Sequence, residues 1–151
     1  MQATQCFLLV SMLIIVILLQ LHNNAEGKTL PFQVYVVAYE ASGEPLGAQI
    51  MVAQCIRNRM AERDLTAEEV CKQAAQFSCW DWRQSRFSLG LKDRTEAELV
   101  CAQVAWNMSV PIVSDVNLYH DTSDNPWWAS SDKVTLLRQI GNLKFYYEKR
   151  G

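Results

Sequence analysis

Histidine is scarce: the 151-residue chain holds two, and His120 alone lies beyond residue 28. No Cys-x-x-Cys occurs. With so few ligands at ligand spacing, a zinc site is a weak reading. Nor does any Ser–His or Cys–His arrangement carry the context that nucleophilic hydrolysis needs, so amidase and peptidase chemistry fit poorly. A basic stripe is missing too. The chain has 14 Lys and Arg against 16 Asp and Glu, which argues against a nucleic-acid partner. Repeats, low-complexity tracts and a dividing linker are all absent, so one domain of ordinary size is expected. No cofactor and no metal are expected.

One stretch has no charge at all. Cys6 to Leu21 is apolar except for Ser11 and Gln20. That length suits a signal-peptide core or a short membrane anchor. Residues 1–26 are assigned to one of these and residues 28–151 to the domain. No Lys or Arg precedes the run, and a polar flank follows it from His22 to Lys28. Ala25 offers a cleavage point, but Asn23 is a poor residue two positions earlier. The balance tips towards an uncleaved anchor through residues 6–21, with the domain outside the cytoplasm; a secreted or periplasmic product is the alternative. Residues 1–26 carry one acid, Glu26, so the remainder is near neutral. A near-neutral domain gains little long-range attraction to a polyanion, and a cleft must supply recognition.

Of five cysteines, Cys55, Cys71, Cys79 and Cys101 lie in the domain. Four cysteines in an exported chain allow three pairings. Cys71 and Cys79 flank a short turn and are the preferred pair. Cys55 and Cys101 fall on apolar helix faces, where buried thiols are at least as good a reading as a bridge.

The richest stretch is Tyr39-Glu40-Ala41-Ser42-Gly43-Glu44-Pro45. Thr29 suits an N-cap and Pro31 a first turn. Val34, Val37, Ala38 and Ala41 recur at helical spacing, which predicts a helix over 30–41. Gly43 stops it, and Pro45 opens a second helix to about Met60. Glu40 then sits in a last turn, where a carboxylate is disfavoured, and Glu44 at or next to an N-cap, where it is favoured. Acid pairs in contrasting surroundings serve sugar chemistry, with Glu40 as the group kept protonated. For Glu44 a plain cap is the better reading. For Glu40 a solvated helix residue and a catalytic acid both stay open.

The second helix is apolar nearly all round and should be the buried centre, with Arg57, Asn58 and Arg59 its polar exit. Thr66 to Glu69 has capping-box spacing and starts a short helix. Gln76 to Trp82 mixes aromatics with hydrogen-bonding side chains, and can line a sugar site through Trp80 and its neighbours or simply be core. Residues 83–93 read as a loop. Thr95 caps a helix to Met108, with Ala97, Val100, Cys101, Val104, Ala105 and Met108 as its buried stripe. Residues 116–121 read as extended. Residues 133–140 and 143–148 flank Gly141-Asn142 as a hairpin.

These segments in order resemble the SleB/CwlJ-type cell wall hydrolases. YEASGEPLGAQIMVAQCIRNRM is similar to the family's E-A-R-G-E-P opening, with Glu40, Ala41, Gly43, Glu44, Pro45, Gln49, Asn58 and Arg59 in place. QFSCW, NLYHDTSDNPWWA and IGNLKFYYE resemble its later blocks, the second of them a Pro-x-Trp-Ala pattern. The resemblance implies a small α+β, lysozyme-like domain with a buried central helix and a C-terminal hairpin. It implies a monomer acting on peptidoglycan glycan strands by cleaving the MurNAc–GlcNAc bond as a lytic transglycosylase. It makes Glu40 the catalytic acid/base and gives Gln76, Ser78, Tyr119 and Asn142 roles in holding the sugar. Two departures stand out: Ser42 replaces the family Arg, and Leu143 stands where its last block has His. If that His helps binding, a glycan-binding protein without turnover is the competing reading.

Overall fold

The computed structural model describes residues 29–81, 83–84, 86–87, 94–110 and 114–149. The chain divides into two units, Met1–Pro31 and Phe32–Gly151. The anchor or signal peptide expected over 1–26 lies outside the described residues. Among the described residues no helix is long and apolar enough to cross a membrane.

The second unit is α+β. Helix α1 spans Phe32–Glu40, α2 Leu46–Arg63, α3 Ala67–Lys72 and α4 Glu96–Met108. Strands β1 (Trp80–Asp81) and β2 (Arg86–Phe87) form a small antiparallel pair, so part of the expected 83–93 loop is strand. Strands β3 (Leu118–Asp121), β4 (Val134–Ile140) and β5 (Leu143–Glu148) form an antiparallel sheet ordered β3-β5-β4.

Helix α2 is the buried centre, because its apolar residues leave no stripe for water. Ala48, Val52, Ala53, Cys55 and Ile56 are fully buried. Burial of a side chain the size of Ile56 contributes roughly 1.5–3 kcal/mol. The helix runs one turn past the expected end and stops at Asp64, which takes a left-handed conformation with φ 53°. Helix α1 begins directly after Pro31, so Thr29 falls short of the capping position.

The polar residues near the end of α2 are fasteners rather than an exit to solvent. Asn58 Nδ2 donates to the Ser114 and Val116 carbonyls at 2.7 Å each. Arg59 is 4% exposed, and its Nε donates to the Asn117 carbonyl at 2.9 Å. Arg57 stacks on Trp106 at 3.8 Å and donates to Ser109 Oγ. That last contact corrects the face expected of α4. Both capping boxes form as read, on Thr66 and Thr95. The buried residues of α4, however, are Ala102, Val104, Ala105 and Trp106. Ala97, Cys101 and Met108 are exposed. Trp106 is the bulkiest apolar group on the helix, and packing it against α2 turns the helix about its axis.

The Gly141-Asn142 hairpin forms as expected. Its strand β5 is central, pairing Tyr119 with Phe145 and Asp121 with Leu143 on one side and β4 on the other. Phe145 is fully buried. On the outer strand, by contrast, Leu136 and Leu137 face solvent.

Candidate active site

Glu40 closes the last turn of α1. The Ala41 amide still bonds the Val37 carbonyl at 3.0 Å, and then Gly43 takes φ 75°, which breaks the helix there. This leaves the Glu40 side chain facing the segment 76–79 and strand β3. Three donors converge on it. Ser78 Oγ and the Cys79 amide each donate to Oε1 at 3.1 Å. Tyr119 donates to Oε2 at 2.8 Å. Burial first, and then the Glu40 carboxylate, push the Tyr119 phenol well above its ordinary value, so it stays a donor across the ordinary pH range. Phe77 and Phe145 pack on its ring, with centroids 6.5 and 6.0 Å away.

Glu40 lines a cleft of about 570 Å³, a size suited to a small-molecule or sugar ligand. Tyr39, Arg59, Gln76, Ser78, Tyr119 and Leu143 share the lining. The rest comes from the β3 end and the loop after it: His120, Asp121, Asp124, Asn125, Pro126 and Trp128. His120 is not loose there. Its Nδ1 lies 2.6 Å from the Asp121 carbonyl, which can only accept, so Nδ1 carries the proton. Nε2 then accepts from Tyr146 Oη at 2.8 Å. Tyr146 stacks on the imidazole, and Trp128 meets both rings edge-on at 5.5 and 5.4 Å. Asp121 Oδ1 accepts from the Ser123 amide and hydroxyl, which hold its carboxyl below the ordinary value.

Of the residues expected at the site, Glu40, Gln76, Ser78 and Tyr119 come together. Gln76 is itself held, its Oε1 accepting from Arg63. Trp80 does not line the cleft. It packs edge-on against Phe32 at 5.2 Å, with the Lys72 ammonium 5.7 Å from its ring. Asn142 does not line it either. Its amide and Nδ2 donate to the Glu44 carboxylate at 2.9 and 3.1 Å. Glu44 stands next to the N-cap of α2, which is Pro45.

Cys71 and Cys79 are free, buried thiols rather than a disulfide. Burial foremost raises both thiol pKa values far above the ordinary range, and the Glu40 carboxylate adds to it. Ser42, where the family Arg was expected, donates to Glu98 in the capping box of α4.

Sequence reasoning missed the Cys79 amide, the buried Arg59 and the His120–Tyr146–Trp128 cluster. Only Arg59 had a usable signal, a charge on a helix that is otherwise apolar all round. Among the described residues no group of three or more His, Cys, Asp and Glu could hold a metal ion.

No curated protein and no solved structure matches the chain. A family model described as cell wall hydrolase matches residues 43–146. The match starts just after Glu40 and takes in Glu44, Arg59, Ser78, Tyr119 and the hairpin as far as Tyr146. It covers about two thirds of the sequence, and on that extent the chain belongs to the cell wall hydrolase family.

Proposed function

We propose that the protein degrades peptidoglycan by cleaving the MurNAc–GlcNAc glycosidic bond as a lytic transglycosylase, with Glu40 as acid and then base. The observation that carries this is one carboxylate, held by three donors, opening on a sugar-sized cleft. Glu40 protonates the glycosidic oxygen as the C1–O bond breaks. The resulting carboxylate then takes the proton of the MurNAc C6 hydroxyl, whose oxygen closes on C1 to give a 1,6-anhydro end. Protons balance without water, and no second catalytic carboxylate is required.

The hydrogen bonds fit both states. A hydroxyl can donate or accept, whereas an amide only donates. The Cys79 amide therefore stays on Oε1, and the Tyr119 or Ser78 hydroxyl turns to accept when the acid carries its proton. Gln76 and Ser78 are placed to hold the sugar beside the acid. We further infer export across the cytoplasmic membrane, with a tether through residues 6–21.

Hydrolysis by water is a second reading, favoured by Asp121 and Asp124 in the same cleft. Binding without turnover is a third, favoured by Leu143 lining the cleft where the family His was expected. The test is the full chain on purified sacculi, with soluble products read by mass spectrometry. Muropeptides one water lighter than their reducing counterparts support transglycosylation. Reducing ends support a muramidase. No products, with the protein still pelleting on sacculi, supports the binder.

A further inference from the structure

We propose that Trp127 is a second, outer sugar-binding platform that extends the Glu40 cleft along the glycan strand. The inference rests on the glycan reading above but not on turnover.

Trp127 is 87% exposed, far more than any other large apolar residue described. Its exposure is fixed by its neighbours. Residues Trp127–Ser130 form one 3₁₀ turn entered from Pro126, whose φ is −68°. The Ala129 amide bonds the Pro126 carbonyl, and the Ser131 amide the Trp128 carbonyl, each at 3.0 Å. Trp128 is pinned edge-on against His120 and Tyr146. Successive side chains of a 3₁₀ helix diverge by about a third of a turn. With Trp128 committed to the cleft lining, Trp127 is held outward beside it.

The position matters as much as the exposure. Pro126 and Trp128 both line the Glu40 cleft, so Trp127, between them, is anchored at its margin. An indole offers a flat apolar face to the C–H face of a sugar ring, and a fixed one loses little entropy on binding. In the Pro-x-Trp-Ala pattern Trp128 takes the specified tryptophan and Trp127 the open position. A glycan strand is the favoured occupant because both chain neighbours of Trp127 line the cleft, while no residue of β4, which carries the exposed pair Leu136 and Leu137, does.

The test uses the full chain with Trp127→Ala and Trp127→Phe. Each is made in the wild-type background and in the Glu40→Gln background, where binding is read without turnover. The probes are sacculi, a soluble peptidoglycan tetrasaccharide and phosphatidylglycerol vesicles. The expected result is that Trp127→Ala weakens sacculus co-sedimentation about 3- to 10-fold, the range of one aromatic contact. KM for sacculi rises with kcat kept, the preference for polymer over tetrasaccharide falls by the same factor, and Phe restores most of the loss. Unchanged sacculus binding overturns the proposal. So does equal damage on the tetrasaccharide, which would place the indole in the central cleft, or a loss confined to vesicle binding. If no variant turns over but Trp127 still governs co-sedimentation, the catalytic reading fails and the platform stands.

Discussion

Glu40 and Glu44 stand on either side of one glycine, identical in type, and the fold gives them opposite work. Glu40 receives two hydroxyls and an amide from two separate stretches of chain and opens on the cleft. Glu44 receives both of its side-chain donors from one residue, Asn142, and closes the hairpin turn onto the helix break. A Cβ added at Gly141 would lie 2.0 Å from Glu44 Oε2 and 2.9 Å from Pro45 Cδ. The turn is thus seated hard against the glutamate, and φ 58° at Gly141 already favours glycine. The difference is one of partners and not of residue type. The two are also linked: the clamp at Glu44 fixes the start of β5, β5 pairs with β3, and β3 delivers Tyr119 to Glu40. The clamp at Glu44 thus helps to position the tyrosine that meets Glu40.

That contrast breaks most sharply at Glu40. Glu40→Gln should cut turnover on sacculi about 10³-fold while leaving the melting temperature little changed, because the amide oxygen can still accept. Calorimetry beside product release checks both halves. Next comes Tyr119→Phe, which keeps the ring packing and removes one donor to a carboxylate. Turnover should fall about 10- to 100-fold, the range for a hydrogen bond to a charged group, again with a small stability change.

At the other glutamate the pattern should invert. Gly141→Ala should cost about 2–4 kcal/mol in denaturant unfolding, from the left-handed backbone and the clash together. Glu44→Ala should cost about 1–3 kcal/mol through two lost hydrogen bonds. Combined, the two should cost less than their sum, because the alanine removes one of the groups the new Cβ meets. Full additivity would mean the turn is not seated on Glu44.

The smallest effect belongs to Ser42. Its hydroxyl is the foremost of the contacts that hold the Glu98 carboxyl down to about 2 from 4.5. A lowered folded pKa stabilises above the unfolded value and is lost as pH falls through the folded one. Ser42→Ala should therefore be slightly less stable than wild type at neutral pH in denaturant unfolding, and the difference should shrink as pH falls from the ordinary carboxylate range towards the folded value.

Much of this was legible because it is local. Capping boxes at Thr66 and Thr95, the Gly43 break and the Gly141-Asn142 turn depend on residues within a few positions of each other. The position of Glu40 was legible in part, since the helix end places the carboxylate but not the Tyr119 hydroxyl that meets it from strand β3. What failed was long-range. Asn142 read as a sugar ligand because its partner Glu44 lies 98 positions away. Trp80 stayed open between sugar site and core because nothing local ties it to Phe32. The face of α4 was misjudged by periodicity alone, since Arg57 of α2 decides where Trp106 packs. Arg59 looked like an exit to solvent because only the β3 approach supplies the carbonyl that buries it.

The most direct measurement sets Glu40→Gln against Glu44→Gln in the full chain, on the same sacculi, with products read by mass and folding checked for both. Anhydro-ended muropeptides from wild type and Glu44→Gln, and none from a folded Glu40→Gln, is the predicted result. Products from Glu40→Gln at the wild-type rate would contradict the account and move the chemistry elsewhere in the cleft.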